Sequence, residues 1–112
     1  MSQAAIPHMI ARGGGAIIAM SGMSNHVGTP NRAHVSASKA ALEGLIRSLA
    51  VEFGGQNIRA NCIAPGAIDT VRGASAGVLP NTLTLESTPL GRRGTVDEIA
   101  AMVRLLAGPE GA

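Results

Sequence analysis

Five apolar residues in a row, Ala16-Ile17-Ile18-Ala19-Met20, constrain this chain more than any other feature. A strand with one face in water alternates apolar and polar side chains, whereas a strand covered on both faces does not. The run follows Gly13-Gly14-Gly15 and is too short for a helix, so it predicts a strand buried on both sides. Burial on both sides requires helices above and below, and the flanking sequence offers them. Gln3 to Arg12 has a helical pattern with Ile6, Met9 and Ile10 on one side, with Pro7 tolerable only near a start or a kink. Beyond a loop from Ser21 to Gly28, Thr29-Pro30 reads as an N-cap followed by proline at the first helical position. Ala41, Leu42, Leu45, Ile46, Leu49 and Phe53 then recur at helical spacing, Glu43 and Arg47 make a favourable i,i+4 pair, and Gly54-Gly55 ends the helix.

Ile58 to Ala64 predicts a second strand, stopped by Pro65-Gly66. Ala67 to Arg93 is rich in Gly, Ala, Ser, Thr and Pro and has no periodicity. Loops of that length are uncommon unless they serve as lids or binding segments, and a lid is expected over residues 70–91. Thr95-Val96-Asp97-Glu98 is a capping box. It opens a helix through Leu106 with Ile99, Met102, Val103 and Leu106 turned inward. Helix, strand, helix, strand, lid, helix is the order of an α/β domain with parallel strands, here one domain over residues 1–112. In such a sheet each strand would leave one edge open, with Arg59 the only charged residue to guard either.

Composition narrows the function classes. The chain has no Trp and no Tyr, and Phe53 is its single aromatic residue, so aliphatic side chains must fill any core. A formal charge of +2, scattered arginines and the lack of aromatic stacking groups argue against nucleic-acid binding. Cys62 stands alone, which rules out an intramolecular disulfide and fits a reducing compartment. No apolar run approaches the ~20 residues of a membrane span, and no signal-peptide pattern opens the chain. A cytoplasmic location with no membrane partner is therefore expected. No two histidines or carboxylates stand at metal-ligand spacing, and no metal is expected.

Three motifs, in order, resemble one known family. Lys39 within Ser36-Ala37-Ser38-Lys39-Ala40-Ala41-Leu42 resembles the catalytic-lysine helix of the short-chain dehydrogenases/reductases. Asn61-Cys62-Ile63-Ala64-Pro65-Gly66, with Ile68 and Thr70, resembles that family's strand-to-cofactor turn. Pro89-Leu90-Gly91-Arg92-Arg93 leading into Thr95-Val96-Asp97-Glu98-Ile99-Ala100 resembles its last helix and the approach to it. The resemblance covers essentially the whole chain. It implies part of a doubly wound Rossmann sheet, roughly the C-terminal half, with the glycine-rich phosphate turn and the catalytic asparagine expected before Met1 and a last strand after Ala112.

The same resemblance implies an oxidoreductase passing hydride between NAD or NADP and a carbonyl or enoyl substrate. Lys39 would hold the nicotinamide ribose and act in catalysis, and Pro65, Gly66, Ile68 and Thr70 would contact the cofactor. Without the phosphate turn, tight binding of NAD or NADP to this chain alone is not expected. The family's tyrosine would stand four residues before the lysine, where this chain has Val35, and its serine would stand at Gly22. Ser21 and Ser24 could offer a hydroxyl from a shifted place, and His26 is a candidate substitute acid. His34, about 100° around the helix from Val35, and His8 fit packing or surface roles; Cys62 fits a small buried strand residue.

The stretch His34-Val35-Ser36-Ala37-Ser38-Lys39, with Gly28 upstream, is similar to the 2,4-dienoyl-CoA reductase branch. There hydride goes to a conjugated carbon, which would make an enoyl acyl-CoA the substrate. The mitochondrial-type members carry a tyrosine at the place of Ser24. The resemblance further implies a homo-oligomer through helices 3–12 and 30–53. A second reading of the same departures is a non-catalytic remnant that serves only as an oligomerisation module.

Overall fold

The computed structural model describes residues 2–71, 86 and 88–112. The expected elements form in the expected order, with one short helix, α2, added: α1 (Ser2–Ala11), β1 (Gly15–Met20), α2 (Ser24–Val27), α3 (Ala33–Phe53), β2 (Ile58–Ile63) and α4 (Val96–Ala107). Pro7 lies inside α1, yet its missing N–H removes only the bond back to Gln3 at the helix start, so the helix survives it. β1 and β2 pair in parallel, from Gly15 opposite Ile58 to Met20 opposite Ile63. An isolated parallel bridge from Ile68 to Gly94 brings the approach to α4 back beside the sheet. The lid expected over 70–91 falls mostly on residues 72–85 and 87, outside the described residues.

The core lies where α1 and α3 meet the sheet. Ile6, Ile46, Leu49 and Ile58 are buried together, with Met9, Ile17, Ala19, Phe53, Ala60 and Cys62 packed around them. α4 packs against β1, but none of its residues is fully buried and Met102, expected to face inward, is 45% exposed. Leu45 and Val51 of α3 are likewise exposed. An α/β layer needs cover on both faces, and the described helices leave much of their apolar surface in solvent.

Two turn assignments change. Thr29-Pro30 does not begin α3; the helix starts at Ala33 with Arg32 before it. Asn31 takes the left-handed conformation, φ 60°, which breaks any helix that Pro30 could have started and makes residues 29–32 a turn. The expected loop from Ser21 to Gly28 also contains α2. At the far end of α3, Gly54 stays right-handed and the chain runs on through a single tight turn at Gly54–Gln56. The reversal falls to Asn57, φ 60°. Asparagine tolerates this region because its short side chain bonds locally, so the glycine pair is not the terminator.

Asn57 also stitches the lower end of the sheet. Its carbonyl accepts from Gly15 N at 3.0 Å, and its Nδ2 donates to the Gly13 carbonyl at 2.9 Å. Gly14 lies between, at φ +133°, where a β-carbon would stand 2.3 Å from the Asn57 carbonyl oxygen. Only glycine fits there.

α4 is fastened at both ends. Thr95 Oγ1 accepts from Glu98 N at 3.2 Å and Glu98 Oε2 accepts from Thr95 N at 2.7 Å, the reciprocal capping box that the sequence predicts. Arg92 adds a fork on Glu98, at 2.7 and 3.1 Å. The Arg92 hydrogen bond and the Thr95 N–H hold the Glu98 carboxyl down at about 2. At the other end Arg59 of β2 donates to the carbonyls of Leu106 at 2.6 Å, Gly111 at 2.7 Å and Gly108 at 3.0 Å. Leu106 is among the carbonyls that the end of α4 leaves without an intrahelical partner, and Gly108 and Gly111 lie in the turn just beyond it. Arg59 therefore caps α4 and does not guard a strand edge.

Candidate functional site

Ligands of open α/β sheets bind beyond the carboxyl ends of the strands, and here those ends are Met20-Ser21 and Ile63 to Gly66. A cavity of about 430 Å³ lies at this place. Ser21, Pro65, Gly66, Ile68 and Thr70, all singled out from the sequence, line it together. Among the described residues Met20, Ala67, Arg93, Val96 and Ile99 also line it, the last two from the first turn of α4. Gly66 approaches Met23 closely, since a β-carbon on it would lie 3.3 Å from the Met23 sulfur.

Lys39 reaches the cavity's edge from α3. Its Nζ donates to the Met20 carbonyl at 2.8 Å, the last residue of β1. Val35 and Glu43 stand one turn either side of it, so the three share one face of the helix. Val35 puts an apolar side chain where the resemblance places a phenol. Gly22 has open space around the position of a β-carbon, so packing does not forbid a side chain there.

The remaining polar residues gather around Glu43, for which the sequence predicts an i,i+4 pair with Arg47. That pair exists only at 3.9 Å, with the Arg47 side chain 73% exposed. The Glu43 side chain is 12% exposed and turns instead toward the segment after β1. Its Oε1 accepts from Ser21 Oγ at 2.5 Å and from Asn25 Nδ2 at 2.9 Å, and His26 Nε2 lies 3.0 Å from the same oxygen. The Ser21 hydroxyl, and after it the Asn25 amide, hold the Glu43 carboxyl down at about 2, against the opposing effect of burial. The signal that could have found Glu43 was its spacing, four residues beyond Lys39 on the same helix face.

This arrangement decides what Ser21 can do. The residue is buried, 6% exposed, and a serine hydroxyl has one proton and two lone pairs. Its proton is committed to a carboxylate, so toward the cavity it offers lone pairs only. Ser24 and His26 are not in the cavity wall. Ser24 opens α2 and its carbonyl accepts from Ser36 Oγ at 3.0 Å; His26 is half-exposed against Glu43. Among the described residues no group of three or more His, Cys, Asp or Glu side chains could hold a metal ion. No helix among them is long and apolar enough to cross a membrane.

Comparison with known proteins accords with this geometry. The family model described as Enoyl-(Acyl carrier protein) reductase matches residues 1–112. The chain is 34% identical over 110 residues to the 3-oxoacyl-[acyl-carrier-protein] reductase FabG of Thermotoga maritima, a match covering 98% of this chain and 45% of that protein. It is 39% identical over 97 residues to the peroxisomal 2,4-dienoyl-CoA reductase of Saccharomyces cerevisiae, over 85% of this chain and 33% of the relative. Among solved structures, a gluconate 5-dehydrogenase from Burkholderia cenocepacia, in complex with NADP and tartrate, superposes with a TM-score of 0.81 at 32% identity. That match covers 96% of this chain and 43% of the other. The chain thus spans less than half the length of these relatives. It belongs to the short-chain dehydrogenase/reductase family.

Proposed function

We propose that this chain forms the nicotinamide-side half of the active site of an NAD(P)-dependent oxidoreductase that transfers hydride between the nicotinamide and a carbonyl or enoyl substrate. The observation that carries the reading is the convergence of Ser21, Pro65, Gly66, Ile68 and Thr70 on one cavity at the strand ends, with Lys39 bonded to the residue beside it. The cavity's size and its mixed lining, a turn backbone with Ile68 and Thr70, suit the nicotinamide end of the cofactor. The bound cofactor supplies or accepts the hydride. Lys39 would hold the ribose hydroxyls, Pro65-Gly66 would let the ring approach the backbone, and Thr70 would bond its amide or phosphate. Among the described residues nothing resembles a turn for the pyrophosphate. Binding by this chain is therefore weak and confined to the nicotinamide half, and the chain alone has no turnover.

Val35 cannot move a proton, so a carbonyl reduction of the family's usual kind lacks its acid here. That favours an enoyl substrate, in which hydride goes to carbon and the proton comes from elsewhere, as the likeness to the yeast dienoyl-CoA reductase also suggests. Val35 and Gly22 equally favour the second reading, a non-catalytic module that pairs with its own copy through α1 and α3. Titration of the chain with nicotinamide mononucleotide, followed by ligand-observed NMR, tests the proposal. Millimolar binding that Lys39→Ala abolishes is the expected result. Binding unchanged by Lys39→Ala would refute the cofactor reading and leave the module.

A further inference from the structure

Three polar groups around Glu43 converge on one point. Ser21, Asn25 and the His26 ring all direct a nitrogen or hydroxyl at a single carboxylate oxygen, Oε1 of Glu43. Charge-assisted bonds of this kind are short and strong, and the shortest of the three belongs to the residue in the cavity wall. The Asn25 amide is oriented by its bond to the carboxylate, and its Oδ1 is then buried with no hydrogen-bond partner among the described residues. The cluster therefore has spare acceptors, at Ser21 Oγ in the cavity wall and at the buried Asn25 Oδ1. A carbonyl oxygen placed against Ser21 would meet lone pairs. A serine that polarises a ketone needs its proton free, and this one does not have it free.

Resting on the oxidoreductase reading above, we propose that Glu43 is the positioning residue of the cavity. It fixes Ser21 as a hydrogen-bond acceptor, so that the group bound against Ser21 is a neutral donor, a hydroxyl or a primary carboxamide. Glu43 touches neither group itself and acts through Ser21. A hydroxyl would come from an alcohol substrate, and a carboxamide from the nicotinamide of the cofactor; the chemistry read by Ser21 is the same.

The test uses the full 112-residue chain and four small probes followed by ligand-observed NMR, which tolerates self-association. Cyclohexanol and nicotinamide carry the donor; cyclohexanone and methyl nicotinate are their acceptor-only counterparts. At least one donor should bind about tenfold more tightly than its counterpart, the difference one good hydrogen bond makes. Preference within the cyclohexyl pair assigns a substrate hydroxyl, and preference within the pyridine pair assigns the cofactor amide. Ser21→Ala should erase the preference. Glu43→Gln keeps an acceptor oxygen and should retain it, whereas Glu43→Leu frees the serine proton and should swing it toward the ketone and the ester. A structural role alone would weaken all four probes equally. Should Glu43→Leu fail to fold by far-UV circular dichroism, Ser21→Ala and Glu43→Gln still decide. Equal or tighter binding of the acceptor-only probes by the wild-type chain, or no binding of any probe, overturns the proposal. A donor preference without any effect of Lys39→Ala on nicotinamide mononucleotide would sink the oxidoreductase reading and leave this one standing.

Discussion

Replacing Arg59 by alanine should unfasten α4. In the structure this guanidinium makes three hydrogen bonds of 2.6–3.0 Å to the carbonyls of Leu106, Gly111 and Gly108, and a longer one of 3.4 Å to Ala107. Charged hydrogen bonds contribute up to about 1.5–3 kcal/mol each when buried. These carbonyls are only partly buried, and water reaches them once the arginine is gone, so about 0.5–1 kcal/mol per short bond is the fitting scale. A cation at a helix C-terminus contributes a further ~0.3–1 kcal/mol through the helix dipole. The sum is about 2–4 kcal/mol, set against a domain stability on the order of 5 kcal/mol for a chain with so few buried residues. Thermal unfolding followed by far-UV circular dichroism should show a drop of about 10 °C or more. Amide exchange should accelerate first at Val103 to Ala107. Arg59→Lys, which keeps the charge but not the planar fork, should recover part of the loss. A melting temperature within about 2 °C of wild type for Arg59→Ala, against the scale just given, would refute the assignment of Arg59 as the cap of α4.

Three further outcomes are expected. Gly14→Ala places a β-carbon 2.3 Å from the Asn57 carbonyl and should cost about 1–3 kcal/mol by urea denaturation, more than Gly13→Ala, whose β-carbon meets nothing and which pays only for its φ of +87°. The folded-state carboxyls of Glu43 and Glu98 lie at about 2, below the ordinary 4.5; the stability they confer is fully present above pH 4.5 and lost as pH falls toward 2, so urea midpoints should hold steady from pH 8 to 5 and decline below, and Glu43→Gln with Glu98→Gln should flatten that decline. Each strand of the two-stranded sheet has an unpaired edge among the described residues, and with Arg59 engaged elsewhere no charge guards either, so size-exclusion chromatography should show self-association; a sharp monomer peak with cooperative unfolding would contradict it.

The fold was legible because its signals are local and periodic. The uninterrupted apolar run at Ala16–Met20, the spacing of Ile46, Leu49 and Phe53 and the Thr95 capping box each predict an element that forms. The errors came where backbone conformation depended on a single residue. Asn31 and Asn57 adopt left-handed conformations, so the helix neither starts at Pro30 nor reverses at the Gly54-Gly55 pair, where the sequence pattern puts its ends. The cavity wall was found through motifs, yet the partner of its serine was not. Glu43 had a plausible neighbour on its own helix in Arg47, and pair counting along one element cannot see that a segment twenty residues earlier comes to rest on it. Arg59 was misjudged for the same reason, since its partners are carbonyls, which every sequence has.

The stitch at Asn57 has a consequence at the other end of the sheet. It joins two turns through bonds that span 42 and 44 residues of the chain, and the strand pairing climbs from it in step to Met20 and Ile63. The relative height of Ser21 and Pro65, on which the cavity depends, is therefore set at the far end of two six-residue strands. A slip of one residue would move one wall of the cavity by about 3.3 Å and turn its side chains to the other face of the sheet. Positional tolerance at the cavity is thus inherited from the turn farthest from it. A variant at Gly14 that still folds should bind the small probes with altered selectivity, and a screen for binding defects should return that glycine among residues that touch no ligand.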